Sequence, residues 1–261
     1  MTGMNLSGQQ AWVCGASRGI GRAIAEILAQ QGAALTLFAR NQAALESLIQ
    51  SLPQPELHRY ALIDLSDTEA LKAKTSELMA QHPAPAILIH NTGGPTPGPI
   101  HSAPIEQFEQ ALRPHLLAAQ ILAQAVLPAM RSAQYGRIIT VLSTSVRQPI
   151  AGLGVSNTIR AAMASWAKTL ASEVAADGIT VNTILPGFTR TERLDEIIHN
   201  RAHRTGLSPE QIQAQMLAEV PAKRFAEAQE IAAAACFLAS PLASYITGVS
   251  LPVDGGRIQA L

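Results

Sequence analysis

Eight residues near the amino terminus, CGASRGIG at 14–21, restrict the possible folds more than any other stretch. They follow a short apolar run, 11–14, that reads as a β-strand. They precede a segment of helical periodicity, 22–31, that ends at Gly32. In such a turn Gly15, Gly19 and Gly21 let backbone N–H groups and a helix amino terminus approach a pyrophosphate, with Ser17 and Ile20 in the same loop. The spacing is GxxxGxG rather than GxGxxG, so its weight comes from its place between strand and helix. Glycines needed for the turn alone are the competing explanation.

The rest of the chain repeats this alternation. Apolar runs at 35–39, 60–63, 86–90, 137–142 and 179–184 read as buried strands, and helical periodicity fills 42–52, 67–81, 105–130 and 158–176. The expected fold class is α/β: a doubly wound parallel sheet with helices on both faces, formed as a single domain over residues 1–261. Pro114 predicts a boundary or kink inside the 105–130 helix. The GGPTPGP cluster at 93–99 is too short for a linker and reads as a rigid loop beside the site. After Pro186 the rhythm breaks into a polar insertion, 191–220, carrying Arg201, His203 and Arg204, which reads as a substrate cover. A helix at 226–238 and a strand near 250–253 follow.

Composition excludes several classes. Lys+Arg and Asp+Glu both number 19, which argues against nucleic acid or an acidic membrane as an electrostatic partner. Cys14 and Cys236 are the only cysteines, no basic region precedes an apolar run at the amino terminus, and no 18-residue apolar stretch is expected. A reduced, cytoplasmic protein without a membrane span is the expectation. Histidines and acids are not spaced as a metal site.

At the end of the second strand, where an acid would bind the ribose hydroxyls of NAD, stand Arg40 and Asn41. Arg40 and Arg18 together suit a 2′-phosphate, which favours NADP(H) over NAD(H); ordinary solvated loop arginines are the alternative. Asp64 either accepts a hydrogen bond from the adenine amino group or caps the helix after it.

Four motifs in order then resemble the short-chain dehydrogenase/reductase family, particularly its 3-oxoacyl-acyl-carrier-protein reductase-like members. CGASRGIG resembles the family's glycine loop, HNTGG at 90–94 its NNAG segment, PGFTRT at 186–191 its PG motif, and VDGG at 253–256 its carboxyl-terminal signature. The resemblance implies a Rossmann-type fold in which Asn91 and Gly93 shape the cofactor cleft. It also implies that Ile184, Pro186 and Gly187 pack beside the nicotinamide and that Thr191 touches its carboxamide. A homotetramer or homodimer is implied too, built on the faces of the two long helices.

The catalytic positions depart from the family pattern. Ser143 matches the family's substrate-polarising serine, but Ser156 stands where its tyrosine belongs, Arg160 where its lysine belongs, and His115 where its asparagine belongs. A phenol titrates near pH ~10, within reach of lowering by a cation, whereas a serine hydroxyl ionises far less readily. Arg160 can bind the nicotinamide ribose and add charge, but cannot relay a proton by losing one. His115, with a pKa expected near neutrality, is the candidate proton donor, a packed helical histidine being the plainer alternative. Two functions follow: an NADP(H)-dependent carbonyl reductase or alcohol dehydrogenase with a weakened site, or a catalytically inactive NADP(H)-binding regulatory or scaffold protein. The substrate itself is not encoded in any motif.

Overall fold

The computed structural model describes residues 4–260. Strand β1 (Gln10–Cys14) feeds helix α1 (Gly19–Gln30), and the unit repeats as β2 (Ala34–Ala39), α2 (Gln42–Ser51), β3 (Arg59–Leu62), α3 (Thr68–Gln81) and β4 (Ile87–His90). Helices α4 (Ile105–Leu112) and α5 (Ala118–Ala133) lead to β5 (Gly136–Val141), α6 (Gly154–Val174) and β6 (Ile179–Pro186). Then α7 (Glu192–Thr205), α8 (Pro209–Ala218), α9 (Ala228–Ala239) and β7 (Ser250–Val253) close the chain. All seven strands lie in one parallel sheet of order β3-β2-β1-β4-β5-β6-β7.

Alternation along each strand assigns its side chains to two layers. Val13, Ile87, Ile89 and Ile139 enter the core under α1, α2 and α9, while Trp12, Cys14, Leu88 and Ile138 face α3, α5 and α6. Both faces are covered, so the strands read as unbroken apolar runs. The order reverses between β1 and β4, which opens a crevice beyond their carboxyl ends, where ligands bind in sheets of this kind.

The expected helix at 105–130 is two helices joined by a π-helical turn, Arg113–Leu117, so Pro114 marks a real interruption. Proline lacks the N–H that a regular turn would use there, and the wider turn accommodates the loss. The stretch Ile105–Ala133 is also long and apolar enough to cross a membrane, contrary to the expectation from sequence. Its inner face is nevertheless core: Ala118, Leu122, Val126 and Met130 are buried against the sheet. Helix α6 begins four residues earlier than periodicity suggested, bringing Ser156 into its first turn.

The polar insertion is helical. Helices α7 and α8 bury Leu194, Ile198, Ile212 and Met216 with Phe225 in a small core of their own. Each helix supplies an i,i+4 apolar pair, too sparse a stripe to stand out among the charges of 191–205.

Candidate active site

The glycine loop is shaped by close contacts that leave no room for side chains. Gly15 and Gly19 adopt φ of +62° and +54°, a region open mainly to glycine. A Cβ on Gly21 would lie 2.1 Å from the Gly15 carbonyl oxygen. Asn91, just beyond β4, donates from Nδ2 to the Cys14 and Gly15 carbonyls at 3.5 and 3.4 Å, tying the two sides of the crevice together. Ser17 and Ile20 are half-buried in the loop. Arg18 provides no side-chain cap to α1, and no acid stands in its first turn. The amino-terminal N–H groups and the positive end of the helix dipole are thus left for an anion, which fits a dinucleotide pyrophosphate.

The two arginines expected at a 2′-phosphate are each held by a carboxylate, and the two do not bond to one another. Arg40 Nη1 lies 3.3 Å from Asp64 Oδ2. Arg18 Nη1 reaches Glu192 at 2.8 Å and Glu196 at 3.8 Å, both on α7. These pairs are exposed and each contributes roughly 0–1 kcal/mol, so an incoming phosphate displaces them at small cost. Asp64 accepts from the Ser66 N–H and hydroxyl, which holds its carboxyl below the usual range; Arg40 adds to the shift. It does not cap α3: Asp67 does, accepting from the Ala70 N–H at 3.0 Å.

The PG segment is fastened to the carboxyl-terminal signature. Pro186 ends β6 opposite Val253, the Gly187 N–H donates to the Val253 carbonyl at 3.0 Å, and a Cβ on Gly187 would lie 2.7 Å from Asp254 Cα. Ile184 is fully buried and belongs to the main core. Gly93 has open space where a Cβ would stand, so packing does not require glycine there. Thr191 sits at the start of α7, where its Cγ2 lies 3.2 Å from the Cβ position of Gly19 and its hydroxyl donates to the Thr189 carbonyl at 3.3 Å. The insertion therefore leans directly on the glycine loop.

Ser143 follows β5, and Ser156 and Arg160 lie on α6. Ser143 Oγ accepts from the Ser145 N–H at 3.1 Å. Accepting that bond leaves the Ser143 hydroxyl hydrogen free to donate elsewhere. Ser156 and Arg160 stand one helical turn apart on α6, both buried. Arg160 Nη1 donates to the carbonyls of Leu142 at 2.8 Å and Val141 at 3.3 Å, which moors the guanidinium next to Ser143. Burial, with the nearby Arg193, brings Arg160 down to about 10, so it remains a cation at neutral pH.

His115 lies in the π-helical turn and is buried. Its Nδ1 is 2.8 Å from the Ala111 carbonyl, and since a carbonyl only accepts, the ring proton is on Nδ1. Nε2 has no protein partner among the described residues. Burial, then the Arg160 charge, pushes His115 down to about 3, which corrects the expectation of a pKa near neutrality. At pH 7 it is a neutral ring whose one proton is already bonded. His90, at the end of β4, is likewise pushed to about 4, chiefly by burial.

Both histidines thus stay neutral in the folded chain but charge near pH ~6.5 when unfolded. Stability is fully present above that value and is lost as pH falls through it towards about 4 and about 3. Thermal melts between pH 8 and 4 should therefore show a progressive drop beginning near ~6.5, flattened in His90→Asn and His115→Asn variants. An unchanged slope in both variants would remove these rings as its source.

Several residues that sequence reasoning passed over complete the arrangement. Arg193 on α7 donates to the Pro95 carbonyl at 3.4 Å and pairs with Glu196 at 2.9 Å. Arg257 bonds Thr144 Oγ1 at 3.1 Å, pairs with Glu219 at 2.7 Å and lies 4.2 Å over the Phe188 ring. The 93–99 loop is held to the start of α6 by a parallel bridge between Gly98 and Leu153. The i,i+3 charge spacing of Arg193 and Glu196 was a visible helix signal, but its target across the cleft was not.

Comparison with known proteins places these features in context. A family model described as enoyl-(acyl carrier protein) reductase matches residues 15–257. The chain is 36% identical over 253 residues to 3-oxoacyl-[acyl-carrier-protein] reductase FabG of Escherichia coli, covering 97% of this chain and 98% of that one. It is 30% identical to the NADPH-dependent reductase BacG of Bacillus subtilis, covering 98% and 100%. Among solved structures it resembles L-sorbose reductase from Gluconobacter frateurii, complexed with NADPH and L-sorbose, with a TM-score of 0.92 and 31% identity over the whole of both chains. YwfH, an NADPH-dependent reductase involved in bacilysin biosynthesis, matches with a TM-score of 0.92 and 29% identity over 98% of this chain and 100% of that one.

Proposed function

The chain belongs to the short-chain dehydrogenase/reductase superfamily, and from that premise we propose that it is an NADP(H)-dependent oxidoreductase interconverting a carbonyl and an alcohol. It is similar to the 3-oxoacyl-acyl-carrier-protein reductases but works with an altered catalytic set. The observation that carries this reading is the buried Arg160 cation held on the carbonyl of Leu142, the residue next to Ser143, whose Oγ accepts from the Ser145 N–H and so keeps its own hydrogen for donation. Bound NADPH supplies the hydride in this chemistry. Gly15, Ser17, Gly19, Ile20 and Gly21 would cradle its pyrophosphate. Arg18, Arg40 and Asp64 would lie at the adenosine end, and Asn91, Gly93, Arg160, Pro186, Gly187 and Thr191 at the nicotinamide end.

Ser143 and Ser156 orient the substrate oxygen, and Arg160 lowers the cost of negative charge developing on it. Neither serine nor the neutral His115 is a ready acid, so the proton that completes the alcohol comes from water, at reduced rate. The α7–α8 insertion covers the substrate. The reading carries with it a cytoplasmic homotetramer or homodimer, for which the exposed apolar Ile105 and Leu117 offer contact area.

The test is purified protein with NADPH and a panel of aldehydes, ketones and 3-oxoacyl thioesters, followed by loss of NADPH absorbance. Slow, saturable oxidation is expected, and Arg40→Ala should cut the preference for NADPH over NADH by about tenfold, the loss of one charge-assisted contact. The second reading, a non-catalytic NADP(H)-binding regulatory or scaffold protein, is favoured by the absence of a titrating proton donor at residues 115, 156 and 160. It predicts tight NADPH binding without consumption across the whole panel.

A further inference from the structure

Arg160 is 8% exposed and, among the described residues, forms no ion pair. Only its Nη1 is engaged, and by neutral carbonyls. Buried charges are ordinarily paired, because two carbonyl dipoles do not replace the hydration of a full charge. The other edge of the guanidinium faces Gly94: a Cβ there would lie 3.6 Å from Arg160 Nη2 and 4.0 Å from Arg193 Nη2. The Nη2 atoms of two guanidinium groups thus both lie near Gly94, one from α6 and one from α7. The acid that answers Arg193, Glu196, bonds its Nη1, while the Nη2 turned towards Gly94 makes only the long 3.4 Å bond to the neutral Pro95 carbonyl. An excess of positive charge, desolvated on the Arg160 side, faces the cleft that holds Ser143 and Ser156.

We propose that Arg160 and Arg193, meeting at Gly94, bind the carboxylate of a short 2-oxo or 3-oxo acid whose keto oxygen rests on Ser143 and Ser156. This rests on the reductase reading and supplies its substrate class. The carboxylate and the keto group are only a few bonds apart because the Arg160 head group is moored to the carbonyl of Leu142, the residue adjoining Ser143. Planar guanidinium groups match a planar carboxylate, and the pairing is strongest where water is excluded. Binding also supplies the counter-charge that Arg160 lacks within the chain. Arg193 adds a condition: its contacts to Pro95 and Glu196 make the anion site complete only when α7 lies against the 93–99 loop.

The experiment is calorimetric titration of acetoacetate and of its neutral analogue methyl acetoacetate into the protein, with and without saturating NADP+. The expected result is a preference for the carboxylate of at least about tenfold, the scale of one charge-assisted bidentate contact. Arg193→Gln, a half-buried position on α7 outside the main cores whose variant fold circular dichroism checks, should collapse that ratio towards unity. Glu196→Gln frees the Arg193 fork and should raise acetoacetate affinity a few-fold. Arg190→Gln, on a neighbouring arginine paired instead with Glu227, should leave the ratio at its wild-type value. Equal or tighter binding of the ester, or a preference that survives Arg193→Gln, overturns the proposal. Neither outcome depends on turnover: if carboxylate preference is present but NADPH is never consumed, the reductase reading fails while the anion site stands.

Discussion

Gly21→Ala should abolish useful dinucleotide affinity, raising the Kd for NADPH by roughly 100-fold. The added methyl would stand 2.1 Å from the Gly15 carbonyl oxygen and 2.7 Å from Asn91 Nδ2. Neither can yield alone: Gly15 is held at positive φ, and Asn91 is tied to the same loop through the Cys14 and Gly15 carbonyls. Overpacking of this kind costs about 1–3 kcal/mol, and contact with backbone sits at the upper end, which is the stated loss in affinity. The loop lies at the carboxyl edge of the sheet, with both cores beneath it, so circular dichroism should report an intact fold. Calorimetry on the variant reads the effect; a Kd within threefold of wild type would mean that phosphate binding does not depend on this turn.

Ser143→Ala should lower kcat by about 10²–10³, the usual cost of removing one preorganised donor to a developing oxyanion. The effect is large for a specific reason. Ser143 Oγ accepts from the Ser145 N–H, so its hydroxyl hydrogen is not needed for that bond and can donate to a substrate oxygen. Where the family tyrosine is absent, this is the strongest neutral donor left near Arg160. NADPH affinity should change less than about threefold, because the serine is not part of the phosphate cradle. Turnover unaffected by the change would remove Ser143 from the chemistry, whatever the cofactor does.

The arrangement of strands was legible because each apolar run is bounded by glycine, proline or a polar turn, and the sheet follows from their alternation with helices. Pro114 announced the break in the long helix, though not that the break would be a π-helical turn burying His115. The cradle at Gly15, Gly19 and Gly21 was legible for the same reason it is tight: only glycine meets its steric demands. Less visible were features that depend on partners distant in sequence. Nothing local distinguishes Asp67, which caps α3, from Asp64, which braces Arg40. The pairing of Arg18 with Glu192 spans 174 residues. The neutral state of His115 was illegible because its depressed pKa comes from burial and from the charge of Arg160 across the helix pair.

Arg18 also links cofactor and cover. The side chain expected at the adenosine phosphate is the one that holds α7 against the glycine loop through Glu192 and Glu196. On the proposed cofactor placement, a phosphate that took Arg18 would release one fastening of the insertion, while Arg257 and Glu219 retain another at its far end.

The central claim is that this crevice binds a phosphorylated nicotinamide dinucleotide. Separate calorimetric titrations of the purified, cofactor-stripped protein with NADPH and NADH test it most directly. Tighter binding of NADPH, weakened by Arg40→Ala, is the predicted result. Binding of neither dinucleotide, or a clear preference for NADH, would contradict it.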